Sequence, residues 1–329
     1  MKNRFGLLKE AYVATQKLAL IWVLLMMIAG GCSGKRNVSQ YPAQEPRTDW
    51  SKIVLDTFEV FALERSEYRS QSYITLEKDT VGEFDENGVM LFRYHHMGLF
   101  YHPVLLLNRT TRLLNGFVAT GDSGYLRLAI ATYDALLDSA IDSSGALWLP
   151  YQFDYEVSPG DNVDAPWFSG MSQGLGLDVG LYLFTVTDDS VYLKAADSLF
   201  NSLTLLWGES EPWVTRIDSL GYYWIEEYPL PKPSMTLNGS IIGAFGLYEY
   251  WKVTRSERAL TLFRAALATY DHFAKFYRRP GEYSFYSLTY GKITNVGYHE
   301  LHKSLYRKLA KMSANPAFGA FADSLDLDG

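Results

Sequence analysis

The 329-residue chain holds a single cysteine, Cys32, so no disulfide can form within it. Positive charge is also scarce. Thirty Lys and Arg stand against 37 Asp and Glu, for a net charge of −7, and no basic stripe is visible. That excludes the electrostatic footprint of a nucleic-acid binder. The six histidines offer one metal-like spacing, His299-x-x-His302, whose rings could share a helix face. A third ligand and a hydrolytic glutamate at a suitable spacing are missing, so hydrogen bonding around a binding site is the expected role and no metal is expected. No nucleotide-binding glycine loop, nucleophile elbow or dinucleotide fingerprint is present, and no cofactor is expected.

What the chain has is apolar and aromatic. It is 48% hydrophobic and 15% aromatic, with 24 Tyr and 8 Trp. That suffices for a sizeable core, in one large or two modest domains. Most of the aromatics are expected to fill helix–helix cores, but aromatic-lined clefts also suit sugar rings, which have apolar faces and polar edges.

The N-terminus reads as a targeting segment. Lys2, Arg4, Lys9 and Lys17 precede an apolar run, Leu18 to Ile28, that is short for a membrane span. Small residues Ala29-Gly30-Gly31 then precede Cys32, as in a bacterial lipoprotein signal whose cysteine becomes the lipidated N-terminus. An uncleaved anchor helix is the alternative. The expected location is the bacterial cell envelope, with a lipid anchor in the membrane. The boundaries read as a signal over 1–31, a polar tether over 32–48, a small α+β segment over 49–97 and a helical domain over 98–329.

Within the small segment, apolar spacing at Ile53, Leu55, Phe58, Phe61 and Leu63 predicts a helix over Asp49 to Tyr68. Tyr73 to Leu76 and Val89 to Phe92 predict strands around an Asp85–Gly88 turn. Four helical hairpins follow, with first helices near Val104–Val118, Met171–Thr187, Met235–Val253 and Leu301–Met312. Ser123, Ser190, Ser256 and Ser313 stand where the second helices need an N-cap. A fourfold helix–turn–helix repeat buries a continuous core only when its units stack side by side. The fold class is therefore mainly α, an (α/α) toroid or partial barrel of about four hairpins. Its long connections, Asp142 to Pro166, Trp207 to Ser234 and Arg278 to His299, should gather at one end and build a site there.

The second connection carries Tyr222-Tyr223-Trp224-Ile225-Glu226-Glu227-Tyr228-Pro229 and runs on to Leu237-Asn238-Gly239. Strand alternation places Glu226 and Tyr228 on one face and Glu227 on the other. The first connection ends at Trp167, Ser169 and Gln173, and the third holds Tyr286 and Tyr298-His299. Each enters a helix N-terminus, which favours acidic ligands.

These blocks resemble a known family. Pro166-Trp167-x-Ser169-x-Met171-x-Gln173-Gly174, then Trp224-x-Glu226-Glu227-Tyr228-Pro229 continuing to Leu237-Asn238-Gly239 and Gly246-Leu247-Tyr248, then Tyr286 and Tyr298-His299-x-x-His302, look like the C-terminal domain of D-glucuronyl C5-epimerases. The resemblance covers roughly residues 98–325. Tyr101-x-Pro103 is similar to the family's substrate-facing entry. The resemblance implies an (α/α) barrel that inverts C5 of a uronic acid residue, D-glucuronate to L-iduronate type, in a polysaccharide. It implies Glu227, Tyr228 and Tyr298 as proton-transfer groups. It implies Tyr286, Asn238, Trp167, Gln173, Tyr101, His299, His302 and Glu226 as substrate contacts. The chain departs from the family in three places. The family's β-rich N-terminal domain is mostly missing. Tyr151-Gln152-Phe153-Asp154 replaces an Arg-Lys pair, and Thr289 replaces an arginine. The expected partner is a uronic-acid-containing polysaccharide of undetermined type, and a homodimer is left open. A polysaccharide lyase, a glycoside hydrolase pairing Glu227 with Asp154 or Asp161, and a non-catalytic glycan-binding lipoprotein are the alternatives.

Overall fold

The computed structural model describes residues 50–76 and 82–329. The signal, the tether and Cys32 lie outside the described residues. Among the described residues no helix is long and apolar enough to cross a membrane.

Eight helices form four consecutive hairpins, as the repeat predicts: α1 (Pro103–Thr120) with α2 (Ser123–Asp138), α3 (Gly170–Thr187) with α4 (Ser190–Ser202), α5 (Leu237–Thr254) with α6 (Glu257–Tyr277), and α7 (Val296–Met312) with α8 (Pro316–Leu325). The first helices pack side by side, α1 on α3, α3 on α5 and α5 on α7, and each second helix covers its own partner. The layout is an arc of an (α/α) toroid, with an inner and an outer row.

In the two central pairs the inner and outer helices differ in sequence for a physical reason. The inner helices α3 and α5 are buried nearly all round over their first three turns. They read as continuous apolar runs rather than stripes. Helices α4 and α6 keep an exposed face and show apolar positions at helical spacing. Glycine brings α3 and α5 together: a methyl group on Gly174 would lie 2.1 Å from the Gly243 carbonyl oxygen. The two backbones touch where side chains would hold them apart.

The turns correct the expected caps. Ser256 caps α6 by accepting from the Ala259 amide. For α2, α4 and α8 the caps are Asp122, Asp189 and Asn315, whose side chains accept from Gly124, Val191 and Ala317. Ser123 and Ser190 are the first helical residues, and Ser313 ends α7. A short side-chain acceptor satisfies a first-turn amide best from the residue just outside the helix, and the Asp of each Asp-Ser pair occupies that place.

The helix expected over Asp49 to Tyr68 does not form. Only a 3-10 turn at Trp50–Lys52 and one helical turn at Arg65–Tyr68 are present. The chain between them is extended, because its amides are taken by distant carbonyls: Val54 donates to Gly221, Asp56 to Arg264 and Phe61 to Met312. Leu55, Phe58 and Phe61 are exposed, so the apolar spacing marks no buried helical face. The segment is a strap. Beyond it, Arg65 donates to both oxygens of Asp178 on α3, at 2.6 and 3.1 Å, and lies 3.3 Å from Glu249 on α5. Asn115 near the end of α1 donates to the carbonyls of Ser70 and Ser72. The strap thus ties α1, α3 and α5 together.

Tyr73 to Leu76 is not a strand. Its expected place opposite Met90–Tyr94 (β2) is taken by Glu83–Phe84 (β1), with Gly98–Phe100 (β3) on the other edge. The Asp85–Gly88 turn is present, with Asp85 accepting from the Asn87 and Val89 amides. The long connections fold into hairpins: β4 (Ile141–Ser143) with β5 (Ala146–Trp148), β6 (Tyr155–Ser158) with β7 (Asp161–Val163), β8 (Thr215–Ile217) with β9 (Tyr223–Ile225), and β10 (Phe285–Ser287) with β11 (Lys292–Ile293).

Candidate active site

The β9 strand stops at Ile225, so the alternation expected for the next three residues breaks. Glu226 and Tyr228 do not share a face of a strand. Glu226 turns inward and is fully buried. Its Oε1 accepts from Arg216 Nε at 2.7 Å. Its Oε2 accepts from the Ser234 amide, the Ser234 hydroxyl and the Met235 amide, at 3.0, 2.7 and 3.1 Å. Arg216 is in place because it stands opposite Trp224 in the β8–β9 register. A buried ion pair persists only when its remaining lone pairs are satisfied, and here they are. Glu226 thereby fixes the loop that enters α5. It is not free to hold a substrate.

Glu227 turns the other way. Its carboxylate lies on the first turn of α5, where a methyl group on Gly239 would be 2.2 Å from Oε2. Glycine is required there for the acid to approach the helix end. Glu227 Oε1 accepts from the Tyr286 hydroxyl at 3.1 Å, while Oε2 is buried without a partner. Burial raises the Glu227 carboxyl to about 7; hydrogen bonds from Tyr286 and Tyr228 and the charge of Lys292 oppose the rise without cancelling it.

Tyr286 reaches Glu227 because of an irregularity in β10. Phe285 pairs with Ile293 and Ser287 with Lys292, which leaves Tyr286 as the extra residue of a bulge. Bulges re-aim side chains. The hairpin is docked on the α5 entry by a bridge between Thr236 and Ser287 and by the Ser287 hydroxyl donating to Ser234 O at 2.5 Å. The Tyr286 and Tyr228 hydroxyls are 3.4 Å apart. Tyr298 meets the Tyr286 ring edge-on, centroids 5.3 Å apart. It sits in the first turn of α7, held by its amide donating to the Asn295 cap. Burial, then the Glu227 charge, push the phenols of Tyr228, Tyr286 and Tyr298 above their ordinary range, so all three keep their protons at neutral pH.

The first connection adds an aromatic wall. Tyr151 and Trp167 stack at 4.0 Å and are bridged through their backbones. Tyr155 lies 6.1 Å from Trp167 and stacks on Tyr228 at 5.5 Å. Asn238, in the same first turn of α5 as Gly239, is buried with its side-chain oxygen unpartnered.

The structure therefore brings Glu227, Tyr228, Tyr286 and Tyr298 together, with Trp167 and Asn238 beside them. Other candidates lie elsewhere or are already engaged. Gln173 donates to Leu147 O and the Ser202 hydroxyl and accepts from the Leu149 amide, which occupies both ends of its amide. His299 bonds Ser284 and Leu325 O through its two nitrogens. His302 bonds the Ser284 hydroxyl, and burial lowers its imidazole to about 3. These two rings brace the third connection. Tyr101 donates to Asp85 at 2.5 Å, in the N-terminal hairpin. Among the described residues no group of three metal-ligating side chains is present. Two contributors had no place among the expected contacts: Tyr155, which the neighbouring Tyr151 and Trp167 flagged only as part of an aromatic loop, and Lys292, one of several loop cations.

The model of the family described as D-glucuronyl C5-epimerase C-terminus matches residues 142–325. A D-glucuronyl C5-epimerase of Caenorhabditis elegans is 36% identical over 83 residues, which is 25% of this chain and 13% of that protein. The chain thus matches only a small part of that relative's length. The fold is similar to cellobiose 2-epimerases from Spirochaeta thermophila (TM-score 0.51, 15% identity, 74% of this chain and 63% of that one) and Bacillus thermoamylovorans (TM-score 0.52, 13% identity, 79% and 70%). Both likenesses concern the (α/α) scaffold alone. The family match spans more than half of the chain and contains the acid, the phenols and the hairpins that place them, so the chain belongs to the D-glucuronyl C5-epimerase C-terminal family.

Proposed function

We propose that the protein inverts C5 of a uronic acid residue in a polysaccharide, with Glu227 as the base and Tyr298 as the acid. The observation that carries this reading is the state of the four groups. A carboxyl raised to about 7 is half ionised at neutral pH and can take or hold a proton. Phenols raised above their ordinary range stay protonated at neutral pH and hold a proton to return.

The Glu227 carboxylate takes the C5 proton as the C5–H bond breaks. The electron pair moves into the adjacent carboxyl group, which becomes a doubly charged enediolate unless charge and hydrogen bonds meet it. Tyr298 then returns a proton to the other face of C5. Its hydroxyl makes no hydrogen bond within the described protein, whereas those of Tyr228 and Tyr286 are engaged with each other and with Glu227. The Tyr298 phenolate regains its proton from solvent. Glu227 releases its own, and Tyr286 and Tyr228 hold its carboxylate in one orientation. Tyr155, half-buried beside the buried Tyr151–Trp167 stack, is the aromatic group of this wall that a sugar ring can reach. The reaction needs no redox partner, since no electrons leave the sugar. Anchoring through Cys32 would place this activity at the cell envelope.

Solvent deuterium tests the reading. Uptake at C5 of a uronate-containing polysaccharide without chain cleavage is expected. An unsaturated chromophore would make the protein a lyase, new reducing ends a hydrolase, and binding alone a glycan-binding protein.

A further inference from the structure

Proton removal beside a carboxylate has a charge problem that Glu227 and the phenols do not solve. The electron pair adds to a group that is already negative, next to a second carboxylate. A cation must stand near both.

The cations of the loop end can be followed one by one. Arg216 is 3% exposed and bound to Glu226. Arg278 is paired with Asp328 and Arg279 with Glu282. Lys232 lies 3.6 Å from Asp161. Lys292 on β11 differs. It is exposed, and no carboxylate among the described residues lies within ion-pair distance of it. Its Nζ is 5.4 Å from the centre of the Tyr286 ring, whose hydroxyl donates to Glu227. The backbone keeps it there: Lys292 is the register partner of Ser287, directly beside the bulged Tyr286, and Ser287 is bonded to Ser234. The cation and the base are thus carried by one docked hairpin and the loop beneath it.

We propose that Lys292 is the carboxylate-recognising group of this site, binding the uronate carboxyl adjacent to the carbon that Glu227 deprotonates and setting the preference for acidic over neutral sugars. This rests on the epimerase reading above. A lysine suits the place. Its ammonium is a compact charge on a flexible stem with three donors, able to follow a carboxylate as its geometry changes from planar acid to enediolate. Its attraction for Glu227 already opposes the rise that burial imposes there.

The test is binding, kept apart from turnover. Calorimetry would measure wild type, Lys292→Gln and Lys292→Arg with an unsulfated glucuronate-containing tetrasaccharide and with its carboxyl-reduced, neutral counterpart. Wild type is expected to favour the acidic sugar at least tenfold, Lys292→Gln to bind the two alike, and Lys292→Arg to keep most of the preference. The neutral sugar should bind all three proteins equally, which shows that the variants fold. Unchanged preference in Lys292→Gln overturns the proposal. So does a wild type without preference, or without measurable binding of the acidic sugar. Deuterium exchange on the same samples answers the other question: a preference that depends on Lys292 without any exchange leaves the cation assigned and removes the epimerase reading.

Discussion

Glu226 and Glu227 are consecutive carboxylates with opposite surroundings. Glu226 is sealed in an ion pair with Arg216 at 2.7 Å and three further hydrogen bonds. Glu227 faces the phenols with one oxygen bonded to Tyr286 and the other unpartnered. The first builds the loop that places the second.

Arg216→Ala leaves Glu226 buried without its charge partner. Removing one member of such a pair costs about 3–5 kcal/mol. Denaturant unfolding should show a loss of that size, and activity should fall with it, because the loop entering α5 loses its anchor.

The raised Glu227 carboxyl predicts a pH dependence of stability with a definite sign. A carboxyl whose folded value, about 7, lies above its ordinary 4.5 binds more protons in the folded state between those limits. Its contribution to stability therefore falls as pH rises through that window. Glu227→Gln should melt at a higher temperature than wild type at pH 8, and the difference should shrink toward pH 5. The same group, acting as a base, makes the rate rise with pH through about 7 in wild type.

Gly239 is where a single methyl group should act on chemistry rather than on folding. An added Cβ would lie 2.2 Å from Glu227 Oε2 and 2.6 Å from its carboxyl carbon. Gly239→Ala should displace the acid and lower kcat/KM by on the order of 10²-fold, the scale of a misplaced catalytic group. The melting temperature should change little, since the side chain that moves is at the edge of the core.

Midway along α3, Asp178 holds Arg65 and also lies 3.0 Å from Arg69. Asp178→Asn leaves two guanidinium groups facing each other with only Glu249 nearby. The strap should loosen, with a stability loss of about 3–5 kcal/mol. Hydrogen exchange should show the amides of Val54, Asp56 and Phe61, all bonded to distant carbonyls, losing protection first.

The hairpin repeat was legible because each pair repeats a helical run, a short polar turn and a cap-forming residue at similar spacing. The caps of α2 and α4 lie one residue before the expected serine because Asp and Ser occur there as neighbours and either has a suitable oxygen. The strap was not legible. Ile53 to Leu63 has helical spacing, but its amides bond across the fold, and long-range pairing has no local signature. The Glu226–Glu227 alternation failed because β9 ends one residue before it. Glu227, Tyr228, Tyr286 and Tyr298 all stood in the aromatic connections. What draws them together is the Tyr286 bulge, a local irregularity with no sequence signal of its own, and the Thr236–Ser287 bridge, whose partners are far apart in sequence. Buried histidines and a buried glutamine read like site residues because the same donors and acceptors brace loops and bind ligands.

The most direct measurement is mass-resolved deuterium uptake at C5 of a glucuronate-containing polysaccharide, comparing wild type with Glu227→Gln and Tyr298→Phe. Wild type should exchange the C5 hydrogen without cleaving the chain, and each variant should lose the exchange while keeping the wild-type fold. Exchange that persists in both variants would contradict the assignment of Glu227 and Tyr298 as the proton-transfer pair.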